Sequence, residues 1–138
     1  MSTILRAIEE KDQIQLKKLF TQLTDSTINL DIEELIADKA CNNIIIEENG
    51  TIIGFATLVI YSLPTTGKVG KIEDVIVDEK FRGQGYGRKL IEELLNIAKK
   101  NNLKKIQLTS SPRREIAREL YKKFGFKEKD TTVFVLNL

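Results

Sequence analysis

The residues best placed to do chemistry lie in Arg82-Gly83-Gln84-Gly85-Tyr86-Gly87, between a β-branched run ending Val75-Ile76-Val77-Asp78 and an amphipathic run that follows Arg88. Glycines let the backbone turn tightly and approach a ligand closely, and the first amides of a following helix lack intrahelical acceptors. Those amides and the helix dipole favour negative charge at the helix start, and Arg82 and Arg88 add positive charge on either side. A pyrophosphate is the natural occupant. A plain tight turn into a helix competes, and the loop alone does not exclude it. A dinucleotide loop would need G-x-G-x-x-G early in a repeated βαβ pattern, with an acid about 20 residues on. Here the glycines run G-x-G-x-G and Asn101-Asn102-Leu103 follows. No Gly-Lys-Ser/Thr is present, so a nucleotide P-loop fails as well.

The chain has no histidine and one cysteine, Cys41. Imidazole acid/base catalysis, Ser-His and Cys-His pairs, imidazole zinc sites and an internal disulfide are all excluded. Proton transfer then falls to carboxylates, tyrosine, lysine, backbone amides or a cofactor. Glu73 and Asp74 precede the loop, within Gly70-Lys71-Ile72-Glu73-Asp74-Val75-Ile76-Val77. Neighbours on a regular strand point to opposite faces, so only one of the two faces a given cleft unless a bulge intervenes. Tyr121 lies on an apolar stripe with Ile116, Ala117, Leu120 and Phe124, where periodicity alone makes it a core aromatic. Arg113 and Arg114 stand near a predicted helix start, either solvated or available to a phosphate.

The elements that must position these residues follow from pattern. Thr3 to Ile8 reads as a strand. Asp12 caps a helix with Ile14, Leu16, Leu19, Phe20 and Leu23 on one face. Asp31 caps a second, with Ile32, Leu35, Ile36, Ala37 and Cys41 apolar, Cys41 being a small buried residue there. Asn43 to Glu47 and Thr51 to Tyr61 form a hairpin about Asn49-Gly50. Ser62 to Gly67 is a loop, and Lys71 to Val77 a strand. Leu90, Ile91, Leu94, Leu95 and Ala98 mark a helix, and Lys105 to Thr109 a strand. Ser111 and Pro112 start a helix that Gly125 stops, and Thr131 to Leu138 closes the chain as a strand. The order βααβββαβαβ predicts a mixed α/β (α+β) fold. Its sheet is mostly antiparallel with one parallel βαβ crossover, and helices cover both faces.

With 138 residues, 41% hydrophobic and 30% charged, the chain is expected to form one domain, 1–138. A net charge of +2, spread along the chain, gives no argument for nucleic acid or membrane partners. No signal peptide or membrane-length apolar run is visible, so the expected location is cytoplasmic.

Two motifs carry a resemblance. Arg82-x-x-Gly85-x-Gly87, opening a helix after Val77-Asp78, resembles the acyl-CoA signature of the GNAT superfamily of N-acetyltransferases. Ala117-x-x-x-Tyr121-x-x-x-Gly125-Phe126 is similar to its second signature. Together with the order of elements, the resemblance covers nearly the whole chain and implies the acyl-CoA N-acyltransferase fold. Gly70 to Val77 followed by Phe81-Arg82-Gly83-Gln84-Gly85 resembles the glucosamine-6-phosphate N-acetyltransferase branch.

The resemblance implies acetyl-CoA as donor, no metal, and a small-molecule amine as acceptor, with an amino sugar phosphate favoured. A polyamine, aminoglycoside, amino acid or protein N-terminus remains open, as does a CoA-sensing module without turnover. It implies a homodimer too, which an exposed final strand would serve. By the same resemblance, Val75 and Val77 would bond the cofactor arm through their backbone, and Arg82, Gly83, Gln84, Gly85, Tyr86, Gly87 and Arg88 would hold its pyrophosphate. Arg114 and Ala117 would lie near the cofactor, and Tyr121 would give a proton to the departing thiolate. Glu73, Asp74 or water would take the proton of the amine, with Glu73 favoured. The family often carries asparagine seven residues before the tyrosine; Arg114 stands there instead.

Overall fold

Asn49 and Gly50 both take left-handed backbone angles, φ 51° and 81°. That geometry matches the twist of a two-residue hairpin. It joins β2 (Cys41–Glu48) to β3 (Thr51–Leu63). The computed structural model describes residues 2–138, which divide into two units, 2–108 and Thr109–Leu138.

In the first unit β1 (Thr3–Ala7), β2, β3, β4 (Gly67–Val77) and β5 (Ile106–Gln107) form a five-stranded sheet in sequence order. The first three pairings are antiparallel and the β4–β5 pairing is parallel. A crossover through α3 (Tyr86–Lys100) makes the parallel pair, as a chain returning to the same sheet edge requires. Residues 52–58 of β3 are all buried because both faces of this strand are covered. On one face Phe55 meets Phe20 of α1 (Gln13–Phe20) edge to face, with centroids 4.9 Å apart. Ile8, Ile32 of α2 (Ile32–Ala37), Leu16, Leu19, Ile45, Ile52 and Ile76 are the other buried members of that core. Leu90, Ile91, Leu94 and Ala98 of α3 are buried, and α3 packs on β2, β3 and β4. The expected fold class, with helices on both faces, is the one observed.

Several local expectations are corrected. Cys41 does not extend α2; Asp38 ends that helix with an extended backbone, and Cys41 begins β2. Ser62 to Gly67 is not a loop throughout, because β3 and β4 pair as far as Leu63↔Gly67. Ile14 is exposed. Asp12 makes no side-chain cap to α1, because its carboxylate is taken by Arg6 and the Glu9 amide.

In the second unit α4 (Glu115–Lys123) starts three residues after Pro112, and Ser111 instead closes a turn through its carbonyl to the Arg114 amide. Ile116, expected on its apolar stripe, is exposed. The Phe126 amide bonds the Tyr121 carbonyl at 3.1 Å and the Gly125 amide bonds that of Lys122 at 3.0 Å. Gly125 sits at φ 99°. This pair of bonds is a Schellman stop, which needs a left-handed residue at that point. Thr131 to Leu138 forms no strand, and Val133, Phe134, Val135, Leu136 and Leu138 are exposed. Alternating apolar residues give strand propensity, but a strand exists only where its backbone finds a ladder partner.

Candidate active site

Thr57 pairs with Glu73 and Phe55 with Ile76, so Asp74 and Val75 together stand opposite Ala56. This is a β-bulge, which bends the strand and leaves its extra residue out of the ladder. Asp74 accordingly has φ 49°, a left-handed conformation that aspartate tolerates better than most residues. The bulge resets the alternation, so that Glu73 and Ile76 share the face of their partners Thr57 and Phe55. On its other edge β4 pairs with β5 only at Gly70↔Ile106 and Lys71↔Gln107. Among the described residues, the edge from Ile72 to Val77 has no strand beside it there. Backbone groups of Val75 and Val77 therefore lie on an open sheet edge next to the bulge.

Glu73 is half-exposed and its Oε1 lies 3.2 Å from Nζ of Lys71, two residues back on the same face. Asp74 opens to solvent, yet its carboxyl lies above its ordinary value. Protein around it removes part of its hydration, and the Glu73 charge adds to the effect.

After β4, Asp78 caps a 3-10 turn, Glu79–Phe81, through the Lys80 amide, and Gln22 accepts from the Glu79 amide at 2.9 Å. Arg82 Nε donates to the Val77 carbonyl at 3.0 Å. Of the two roles open to Arg82, holding the loop is the one this contact supports. Gly83 and Gly85 take φ 79° and 88°, and a Cβ on either would meet nothing within 4 Å. Their requirement is conformational, and the space above them is open. Gly85 is the residue before α3, where it offers no side-chain cap. The first turn of α3 carries no acid, whereas α2 is capped by Asp31 and has Glu33 and Glu34 in its first turn. The first amides of α3 thus face an anion-favouring opening. Gln84 is exposed and Gly87 lies in the first turn. Tyr86 packs on Phe81 and under Lys89, while Arg88 is held by Glu92 at 3.1 Å.

The chain matches the Acetyltransferase (GNAT) family over residues 6–126. The chain belongs to that family. It is 35% identical over 132 residues to glucosamine 6-phosphate N-acetyltransferase of Trypanosoma brucei brucei, covering 89% of this chain and 88% of the relative. The solved glucosamine-6-phosphate N-acetyltransferase of Arabidopsis thaliana superposes with a TM-score of 0.83 at 26% identity, over 99% of both chains. A predicted acetyltransferase from Clostridium acetobutylicum, solved with acetyl-CoA, gives 0.79 at 27% identity, over 98% of this chain and 96% of that one. As a GNAT protein, this is an acetyl-CoA-dependent N-acetyltransferase.

The first unit holds Glu73, Asp74, Val75, Val77 and the loop; the second holds Arg114, Ala117 and Tyr121. Tyr121 is buried, and its ring meets Phe126 at 6.0 Å in the contact that accompanies a Schellman stop. Burial raises its phenol above the ordinary value, with the Arg114 charge acting the other way. Tyr121 therefore carries its proton at neutral pH and is a donor. Two residues absent from the pattern-based site are Thr57 and Lys71. Lys71 was legible from its two-residue spacing to Glu73; Thr57 acquires its place only through strand register.

Proposed function

We propose that this acetyltransferase acts on the primary amine of a small amino sugar phosphate, with glucosamine 6-phosphate the first acceptor to test. The observation that carries this reading is the near full-length similarity to a glucosamine 6-phosphate N-acetyltransferase. The local geometry supports the accompanying chemistry. A thioester needs little activation, so the protein's task is to orient an uncharged amine against it. Backbone groups of Val75 and Val77 on the open edge would hold the pantetheine arm. The uncapped start of α3 with Gly83, Gln84, Gly85, Tyr86 and Gly87 would receive the pyrophosphate, with Arg82 bracing the loop and Arg88 adding charge. Arg114 and Ala117 are the second unit's own candidates for a cofactor contact.

In this reading the amine loses its proton to Glu73, which Lys71 keeps in place, with Asp74 or water as the alternative base. A strand amide at the bulge would meet the developing oxyanion. Tyr121 would protonate the departing thiolate. We further take residues 1–138 as one catalytic domain, because the family match runs through both units, and the cytoplasm as the place where it acts. The exposed apolar tail from Val133 to Leu138 supports pairing with a second copy.

The test is release of free thiol from acetyl-CoA with glucosamine 6-phosphate, a polyamine, an aminoglycoside, an amino acid and a peptide N-terminus. The expected result is the highest kcat/KM with the amino sugar phosphate. A higher value with another amine reassigns the acceptor. Tight CoA binding without release for any amine replaces the enzyme by a sensing module.

A further inference from the structure

Resting on the assignment of Glu73 as base, we infer that Thr57 is a positioning residue for that carboxylate, with Asn43 behind it. Strand register makes Asn43, Thr57 and Glu73 direct partners across β2, β3 and β4. Directly opposed residues on antiparallel strands have Cβ atoms about 4.5–5.5 Å apart and share one face. The row is polar from end to end and lies beside the apolar row of Ile45, Phe55 and Ile76. Asn43 and Thr57 are both more than nine-tenths buried, and Asn43 Oδ1 and Thr57 Oγ1 have no hydrogen-bond partner.

A buried hydroxyl without a partner costs stability, and valine would fill the same volume without that cost. Such a group persists where it serves something other than folding. Lys71 engages Oε1 of Glu73, which leaves Oε2 for another donor. Thr57 is the direct cross-strand neighbour of Glu73, so a turn about its χ1 would bring the O–H toward that oxygen. With the Asn43 amide turned over, its Nδ2–H donates to Thr57 Oγ1, so that the hydroxyl both accepts and donates. An entering substrate ammonium competes with Lys71 for the carboxylate. A donor from the sheet side holds Glu73 in register while that exchange takes place.

The experiment compares Thr57→Val, Thr57→Ser and Asn43→Ala by steady-state kinetics with acetyl-CoA and the best amine of the panel, and by thermal melting. Thr57→Val should lower kcat about tenfold, the scale of one hydrogen bond to a charged group, with KM for acetyl-CoA unchanged. Its melting temperature should stay level or rise by about 3 °C as the unpartnered hydroxyl is removed. Thr57→Ser should restore kcat, and Asn43→Ala should lower it by a smaller factor. Wild-type kcat in Thr57→Val, or no recovery in Thr57→Ser, overturns the inference. Glu73→Gln separates this from the parent reading. If that variant turns over like the wild type, the base assignment falls and the inference with it. If it is impaired and adding Thr57→Val impairs it tenfold more, the base assignment stands and the positioning role does not.

Discussion

Two strands of the first unit's sheet, β1 and β4, solve opposite problems. Where β1 meets the turn before α1, Arg6 gives Asp12 two parallel hydrogen bonds of 2.8 and 2.9 Å and reaches Glu47 at 3.2 Å. The Asp12 carboxylate accepts the Glu9 amide as well. Asp12 is buried, and both of its carboxylate oxygens are used. At β4 the local rules are broken in succession: a left-handed aspartate, like charges on adjacent residues, a partnerless hydroxyl across the sheet, and a helix that starts without a cap. A sequence that specifies one structure tends to obey local rules except where the chain must do something else. The anchor holds the fold; the strip at β4 holds a place for ligands.

That contrast predicts variants that separate stability from activity. The largest effect belongs to Asp12→Ala, which leaves the Arg6 guanidinium facing Glu47 without its main partner. Breaking a buried pair on one side costs about 3–5 kcal/mol. Denaturant melts should show this loss, while kcat per folded molecule at low temperature stays close to the wild type. A stability change under about 1 kcal/mol would end the claim that this network is the anchor. The pH dependence follows in sign. The hydrogen bond from Arg6 lowers the Asp12 value below its unfolded one. Its contribution is therefore present above the unfolded value and is lost as pH falls through the folded one. Acid melts of the wild type should lose this stability below the ordinary carboxylate range, and those of Asp12→Ala should not.

Tyr121→Phe gives the inverse result. The ring contact with Phe126 and the Schellman bonds, which are backbone bonds, survive the change. Loss of a general acid lowers kcat about 100-fold or more, with KM for acetyl-CoA and the melting temperature nearly unchanged. Unchanged turnover would leave Tyr121 as a capping aromatic only. Gly85→Ala falls between the two. It forces alanine to φ 88°, at a cost of about 1 kcal/mol, and tilts the amides that open α3. Calorimetry should show weaker CoA binding, and a substitution that leaves affinity intact would return the loop to a plain turn.

What could be read in the chain was whatever is decided within a few residues. Asn49-Gly50 fixes the hairpin by its own dihedrals, and the loop before α3 announces itself by glycines that need positive φ. Tyr121, Gly125 and Phe126 form a recognisable trio because the Schellman stop is itself local. Features decided by pairing were not legible. Alternation places Glu73 and Asp74 on opposite faces, and only the ladder with β3 reveals the bulge. Thr57 reads as an ordinary strand threonine until register sets it opposite Glu73. Residues 131–138 have a strand's pattern and no ladder, because propensity cannot supply a partner.

The smallest predicted effect tests the comparison most closely, because Asp74 is the counterpart of Asp12 with its sign reversed. Its value is raised by lost hydration and by Glu73. A carboxylate with a raised folded value costs nothing while it is protonated in both states. The cost grows as pH rises from the unfolded value and is complete above the folded one. Asp74→Asn keeps a residue that tolerates left-handed φ and removes the like charge. Solvent screens so exposed a group, so the gain at neutral pH should be only a few tenths of a kcal/mol, and should vanish in acid. Stability that falls at neutral pH would mean that Asp74 is held by contacts rather than crowded by Glu73. Activity read on the same variant assigns the base. If kcat is kept while stability rises, Asp74 is not the base and the proton goes to Glu73 or water; a loss of about 100-fold moves it to the aspartate at the bulge.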